Sequence, residues 1–299
     1  MKRNLSITIG ITAFNEGSLL NEAWNSVLNQ NTDKWMAVMV LDGGGDRKTR
    51  KHFESIQHPN LKKYSYSSNQ GIYPCRTKAI KLADTEWYFH LDADDLLPPN
   101  AIELVIKNIN KNPNIEFLAG ACKSFNLGPE KIMYPQNNPE VLCTIPLFLP
   151  QSPITKTLFE KMGGYYIPDH FLHCDWDFWL SVYEKNIIGA KINEVIYLYR
   201  RRNNSVTSKN FDSLCIALEC VISRHPSFFH SKERKQRTRS DNYEKIARHY
   251  RSKGNRKLAK EYADLALKED NNSQVLKSIN REYEMSALRY FLRRMGRLI

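Results

Sequence analysis

No apolar run in this chain approaches the ~20 residues that a bilayer-spanning helix needs. The longest candidate, residues 141–150, is short and interrupted by Pro146. This excludes an integral membrane protein and leaves a soluble or peripheral one. Cysteine is sparse: six residues (Cys75, Cys122, Cys143, Cys174, Cys215 and Cys220) are scattered with no paired spacing of the zinc type. With no secretory leader either, the expectation is reduced thiols in a cytoplasmic compartment. A Gly-rich basic loop of the kind that cradles a triphosphate is missing from the first turn, residues 12–18, which weighs against a nucleotidyltransferase.

What is present is ordinary in bulk and uneven in distribution. The 299 residues suffice for one large α/β domain, alone or with an appendage, and 41% hydrophobic with 25% charged residues is typical of a globular protein. Residues 211–299 hold 20 Lys and Arg against 11 Asp and Glu, while the first 210 hold 24 against 21. A basic tail behind a near-neutral domain points to an anionic partner surface, membrane or nucleic acid.

Residues 5–13 alternate β-branched side chains and read as a first strand. Leu20, Ala23, Trp24, Val27 and Leu28 then recur at helical spacing over 19–30, and the continuous apolar run 35–41 reads as a strand covered on both faces. Further strands are expected at 62–66, 86–91, 115–121 and near 195–199, with helices at 72–83, 101–110, 155–162 and 175–184 and an irregular stretch over 122–150. On the 175–184 helix, Trp176, Trp179, Leu180 and Tyr183 share one face. The β-α-β-α-β-α-β order implies a parallel, right-handed, layered sheet. Beyond residue 212 the pattern is purely helical, with stretches at 242–252, 257–268 and 273–294. The first two resemble a single tetratricopeptide-type hairpin, too few units for a solenoid.

The most informative stretch is the end of the fourth strand, where Asp92, Asp94 and Asp95 follow an apolar run. In an open α/β sheet, ligands gather at the carboxyl ends of strands. Two Asp at i and i+2 there repel unless a cation neutralises them, and hard carboxylate oxygens suit Mg²⁺ or Mn²⁺ completed by water and phosphate. The plainer role for such a pair is an acidic helix N-terminus.

In order along the chain stand Thr12-Ala13-Phe14-Asn15-Glu16, Asp42-Gly-Gly-Gly-Asp46, the 69–78 segment with Arg76 and Lys78, and Asp92-Ala-Asp94-Asp95. Gly163-Gly164-Tyr165, Cys174-Asp175-Trp176-Asp177 and Tyr199-Arg-Arg-Arg202-Asn-Asn-Ser205 follow. This ordered set resembles an inverting family 2 glycosyltransferase of the GT-A fold, a Rossmann-like, mostly parallel sheet flanked by helices, across residues 5–210. The resemblance implies a catalytic domain over 1–210 and a basic helical C-terminal region over 211–299, comprising a helical hairpin and an amphipathic helix. It implies transfer from a nucleotide-diphosphate sugar, UDP-linked, to a hydroxyl of a glycan or lipid-linked acceptor in cell-surface polysaccharide biosynthesis.

By the same resemblance, Thr12, Phe14, Asn15, Glu16 and Asp42 hold the nucleoside and Arg76 or Lys78 reaches the base or phosphates. Asp92 faces the ribose and the metal shell, and Asp94, within the DXD motif, is the direct ligand of Mn²⁺ or Mg²⁺. Asp175 is the general base; it opens a helix whose dipole favours its ionised form, although capping that helix is the simpler role for an Asp there. Asp177 is expected to be structural. The sequence departs from relatives in placing Arg202 where many have a metal-ligating His, and Arg can hold phosphate but not metal. His170 and His173 could add acceptor or metal contacts. The Gln-x-x-Arg-Trp signature of processive synthases is absent, which implies addition of one sugar or a few. The C-terminal Arg289, Arg293, Arg294 and Arg297 alternate with apolar residues, so this helix could either rest on an anionic membrane at its inner face or pack on the catalytic domain. An alternative reading of the whole is a nucleic-acid or protein-binding module that uses the basic run 232–239 beside an inactive nucleotide-binding domain.

Overall fold

The computed structural model describes residues 5–136, 138–143, 151–167, 174–202, 213–270, 276–280 and 283. His170, His173, Ser205 and the C-terminal arginines 289, 293, 294 and 297 lie outside that set. The described chain runs β1 (Ile7–Ala13), α1 (Leu19–Leu28), β2 (Trp35–Leu41), α2 (Arg47–Ser55), β3 (Leu61–Ser65), α3 (Ile72–Leu82), β4 (Trp87–Asp92) and α4 (Ala101–Lys111). It continues with β5 (Phe117–Phe125), β6 (Lys131–Met133), a 3-10 turn (Pro139–Cys143), β7 (Ile154–Thr155), α5 (Lys156–Lys161), α6 (Cys174–Glu184) and β8 (Gly189–Arg200). Three helices follow: α7 (Ser213–Arg224), α8 (Lys232–Ser252) and α9 (Arg256–Glu269).

The chain divides into two units, 1–139 with 146–205, and 140–145 with 206–299. A linear boundary at 210 falls among residues outside the described set and does not capture the 140–145 segment.

In the first unit the sheet order is β3-β2-β1-β4-β7-β5-β6, with β8 paired to β5. β1 to β4 are mutually parallel, β8 is parallel to β5, and only β6 and β7 run antiparallel to their neighbours. Period-2 alternation gives the sheet two buried faces. One carries Ile7, Ile9 and Ile11 with Trp87, Phe89 and Leu91, against Leu20, Trp24 and Val27 of α1 and Ile102, Val105 and Ile109 of α4. The other carries Val38, Val40 and Tyr88 against Cys75, Ala79 and Ile80 of α3, Leu158 and Phe159 of α5, and Phe178 and Trp179 of α6.

Several sequence expectations change. No apolar periodicity marks α2, which buries only Thr49 and Phe53; its start is instead fixed by Asp46, whose carboxylate accepts from Thr49 N at 2.7 Å. The 122–150 stretch is less irregular than expected, because β5 runs on to Phe125 and pairs with β6. The single face expected on α6 does not hold: Phe178 and Val182 are buried as well, and Tyr183 is the exposed member. The helix is enclosed on two flanks, so one stripe cannot describe it.

In the second unit α8 starts at Lys232, ten residues before the expected 242, capped by Ser231. It therefore absorbs the basic run 232–239, in which Arg234 pairs with Glu140 and Arg239 with Glu219. Gly254 (φ 75°) and Asn255, whose side chain caps Leu258 N, turn the chain into α9. Ala247, Ala259, Ala263 and Ala266 let the two helices approach closely, flanked by Tyr250 stacked on Tyr262. No described helix is long and apolar enough to cross a membrane. All six cysteines are free thiols.

Gly10 lies on the α3 face of β1, where a Cβ would come within 2.0 Å of the Tyr88 hydroxyl and 2.4 Å of its ring. Tyr88 is buried and its hydroxyl is held by His90. Gly10→Ala is therefore expected to lower unfolding free energy by about 1–3 kcal/mol, read from urea denaturation, as overpacking does elsewhere. An unchanged midpoint would mean that Tyr88 yields freely.

Candidate functional site

The parallel register brings the carboxyl ends of β1, β2 and β4 level: Thr12 faces both Val40 and Asp92, and Ala13 faces Leu41. The turns that leave these ends are fastened to one another. Asp42 N donates to Ala13 O (2.8 Å), Asp46 N to Asn15 Oδ1 (2.6 Å) and Gly17 N to Thr49 Oγ1 (2.7 Å). Gly45 has no room for a side chain, since a Cβ would meet Phe14 O at 2.0 Å. Glu16 folds back to accept from Phe14 N at 2.6 Å; burial pushes its carboxyl pKa up, with Asp94 adding to the effect. Asp42 is buried and accepts from Gln70 N (2.6 Å) and Gly71 N (2.9 Å), so it pins the loop from which α3 starts.

From that start α3 lays Arg76 across the end of β4. Tyr88, His90 and Asp92 alternate along β4 and so share the face that α3 covers. Arg76 Nη2 donates to both Asp92 oxygens, at 2.8 and 3.0 Å, and Gln151 donates to Oδ2 at 2.7 Å. His90 Nε2 lies 2.8 Å from Asp92 Oδ1 and 3.0 Å from Arg76 Nε, while Nδ1 lies 3.1 Å from the Tyr88 hydroxyl. One nitrogen cannot both donate to Asp92 and accept from Arg76. The shorter contact decides: a neutral ring gives Nε2–H to Asp92 and accepts from Tyr88 at Nδ1. Burial first, then the Arg76 charge, hold the His90 pKa down, in keeping with that neutral form. Burial opposes a charge on Asp92, but Arg76 and His90 outweigh it and hold the carboxyl well below the usual range. Asp92 is thus an ionised carboxylate whose oxygens are already engaged by its own chain.

Asp94 and Asp95 are held from the other side by β8. Leu96 and Leu198 exchange backbone hydrogen bonds (3.1 and 2.9 Å), which brings the end of β8 alongside the acidic turn. Asp95 accepts from the Tyr197 hydroxyl (2.8 Å) and Arg200 N (2.6 Å); burial and then Asp92 push its carboxyl up to about 8. Arg200 is anchored by Asp94 O, Glu22 and the Phe125 ring. Arg202 Nη1 donates to Asp94 Oδ2 at 2.8 Å. The Asp94 and Arg202 side chains are 27% and 31% exposed, and burial raises the Asp94 pKa, helped by Asp92.

Asp175, in the first turn of α6, reaches the same neighbourhood through Tyr73, whose hydroxyl donates to Asp175 Oδ1 at 2.7 Å. Tyr73 sits between the Tyr165 ring, with centroids 5.2 Å apart, and the Arg76 guanidinium, 5.6 Å from its own centroid. Burial, and Asp175 after it, raise the Tyr73 pKa well above its ordinary value, so the hydroxyl keeps its proton and donates. The Lys78 ammonium lies 4.1 Å over the ring of Tyr64, which is level with Val40 in the sheet. Asp177 is buried.

Among the described residues no three His, Cys, Asp or Glu side chains form a ready-made metal cage. That does not oppose Mg²⁺ or Mn²⁺, which often take one or two carboxylates and fill their shell with phosphate and water. Asp94 fits this use: its oxygens are hard, it is partly exposed, and its one described side-chain partner, Arg202, lies at the solvent rim. Asp92 fits less well, being occupied.

Gln151 and Tyr197 belong to this constellation but carry no motif, and Tyr73 and Arg200 belong to it as members of the 69–78 and 199–205 segments without an expected role of their own. His90 stands two residues before Asp92 in a strand and must share its face.

Residues 8–169 match the model of Glycosyl transferase family 2. A curated relative, the UDP-Glc:alpha-D-GlcNAc-diphosphoundecaprenol beta-1,3-glucosyltransferase WfgD of Escherichia coli, is 24% identical over 219 residues, covering 70% of this chain and 82% of that protein. An uncharacterized glycosyltransferase of Haemophilus influenzae is 25% identical over 198 residues; the match covers 63% of this chain and 66% of that protein. A Rickettsia conorii relative is matched over only 31% of its length. Among solved structures, S. aureus TarS 1-349 in complex with UDP-GlcNAc aligns with a TM-score of 0.63 at 16% identity, covering 94% of this chain and 92% of that one. That neighbour shares the mostly parallel, helix-flanked sheet of the GT-A fold. With more than half of its length matched by the family model, the chain belongs to glycosyl transferase family 2.

Proposed function

We propose that this protein is a metal-dependent, inverting glycosyltransferase that moves a sugar from a UDP-linked donor to a hydroxyl of a glycan or lipid-linked acceptor in cell-surface polysaccharide synthesis. The observation that carries the proposal is the arrangement at the end of β4, where Asp94 faces outward beside the fastened β1 and β2 turns and Tyr73 joins Asp175 to the same cluster. The nucleoside lies on the turns bearing Thr12, Phe14, Asn15, Glu16 and Asp42, and Arg202 stands where the diphosphate leaves. A divalent ion on Asp94, Mn²⁺ or Mg²⁺, supplies the positive charge that stabilises that leaving group.

In the chain's own chemistry, Asp175 takes the acceptor hydroxyl proton as the oxygen attacks the anomeric carbon and the bond to the diphosphate breaks. A single displacement inverts the centre. Tyr73 fixes the carboxylate so that its other oxygen faces the acceptor. Arg76 binds no donor in this reading; it keeps Asp92 ionised and α3 in place, and Lys78 is likewise committed within the fold. The proposal keeps the protein at the inner face of an anionic membrane, a role resting on the sequence of Arg289, Arg293, Arg294 and Arg297.

Thermal denaturation against UDP, GDP, dTDP and CMP, each with and without Mn²⁺, is expected to show a metal-dependent rise with UDP alone, absent in Asp94→Asn, because ligands that bind the folded state stabilise it by mass action. A protein indifferent to all four nucleotides sinks the proposal. Asp175→Asn is expected to cut turnover by about 10²–10⁴ while leaving the UDP shift intact; equal loss of both would make Asp175 a structural cap. The two acidic positions should also separate. Asp92→Asn leaves Arg76 buried without its counter-ion and is expected to cost about 3–5 kcal/mol in urea unfolding. Asp94→Asn, at the solvent rim, should cost no more than about 1 kcal/mol.

A further inference from the structure

Two arginines meet the acidic turn from β8, and they are held very differently. Arg200 is pinned through its backbone N–H to Asp95, through Nε to Asp94 O, through Nη2 to Glu22 and by the Phe125 ring. For Arg202 the contact among the described residues is the Asp94 carboxylate, at 2.8 Å, with both side chains partly open to solvent. A partly exposed pair of this kind is held less firmly than the buried Arg76–Asp92 pair. Asp94 is also the carboxylate best placed to take a divalent ion. A guanidinium and a divalent cation on one carboxylate repel each other strongly at such range.

We propose that Arg202 is an exchangeable counter-ion: it holds Asp94 until a diphosphate arrives, then transfers to the phosphate oxygens and releases Asp94 to the metal. The proposal rests on the reading of Asp94 as the metal ligand and goes beyond it, by making metal and nucleotide binding mutually dependent through one side chain. Three considerations support it. A guanidinium fork matches phosphate oxygens in a bidentate way, so the diphosphate is the stronger acceptor. Asp92 keeps Arg76, and Asp95 keeps its donors Tyr197 and Arg200 N, whichever way Arg202 turns. The rim exposure leaves the guanidinium a path to swing without unpacking the core. Coupling of this kind is reciprocal: whatever factor the nucleotide adds to metal affinity, the metal adds to nucleotide affinity.

The test reads bound Mn²⁺ directly, by the loss of the free-ion EPR signal on titration into the full chain, with and without UDP. Wild type should bind Mn²⁺ weakly alone and at least about tenfold more tightly with UDP, after correction for the Mn²⁺–UDP complex in buffer. Arg202→Gln should bind Mn²⁺ alone at least about tenfold more tightly than wild type, and its gain from UDP should shrink accordingly. Arg202→Lys keeps a cation on Asp94 but lacks the fork, so it should bind Mn²⁺ alone as weakly as wild type and gain clearly less from UDP. It serves as the second variant if Arg202→Gln is poorly folded by circular dichroism, and a gain from UDP equal to that of wild type would count against the exchange. Mn²⁺ binding by Arg202→Gln no tighter than wild type, with UDP-dependent binding retained in both, overturns the proposal and leaves the metal site standing. No Mn²⁺ binding by any variant with UDP, or binding that survives Asp94→Asn, overturns the Asp94 reading itself and the exchange with it.

Discussion

The buried ion pair between Arg76 and Asp92 is the constraint around which the rest of the first unit is arranged. A pair taken out of water repays its desolvation only when the remaining lone pairs and protons are satisfied. The carboxylate meets this condition: Gln151 donates to one Asp92 oxygen and His90 to the other, and the Tyr88 hydroxyl completes His90. Tyr88, His90 and Asp92 share one face of β4, and α3 lies against that face with Arg76 reaching His90 and Asp92. That position sets Tyr73, one turn earlier, against Asp175. The location of a catalytic candidate on α6 therefore depends on an ion pair on β4 that it does not touch.

The same arithmetic of lone pairs divides the acidic motif. Read as letters, Asp92 and Asp94 belong to one motif, with Asp94 the direct metal ligand and Asp92 facing the ribose and metal shell by resemblance. In the fold the strand still governs Asp92, whose side chain turns inward under α3, whereas Asp94 has passed into the turn and faces the rim. Burial pushes all three carboxyls up, but at Asp92 it is outweighed by Arg76 and His90, which hold the group ionised, while the Asp94 and Asp95 pKa values stay raised. Three carboxylates in four residues thus stand in three settings: a buried counter-ion, an outward carboxylate at the rim, and an anchor for the end of β8.

Much of the architecture was legible in the sequence because burial on both faces leaves a plain signature. The run Trp35–Leu41 coincides with β2, and the apolar stretch before Asp92 with β4. What could not be read depended on partners distant in the chain. α2 buries two side chains and has no stripe to detect. β7 is two residues long and exists only because β4 and β5 flank it. In the site, the spacing that places Lys78 near Arg76 on one helix gives no means of knowing that Tyr64 claims its ammonium. Nothing local predicts that Gln151 or Tyr73 belongs with Asp92 and Asp175, since neither residue type nor spacing is distinctive. The neighbourhood of Asp175 is produced by Tyr73, 102 residues earlier, and is visible only in three dimensions.

Two arginine–aspartate pairs lie within one turn of chain from each other, and their different burial assigns them different work. Arg76 is 5% exposed and its partner 18%; separating them would strand a charge in the core, so this pair serves as framework. Arg202 and Asp94 are roughly a third exposed, and water can replace either partner at little cost. A site that must admit and release a highly charged diphosphate in every turnover needs charges that rearrange easily, mounted on charges that do not. In the proposed site, the rigid pair at the strand end and the rim pair just beyond it would meet both needs with the same two residue types. A framework built from the rim pair would loosen with each cycle, and a donor site built from the buried pair could not open.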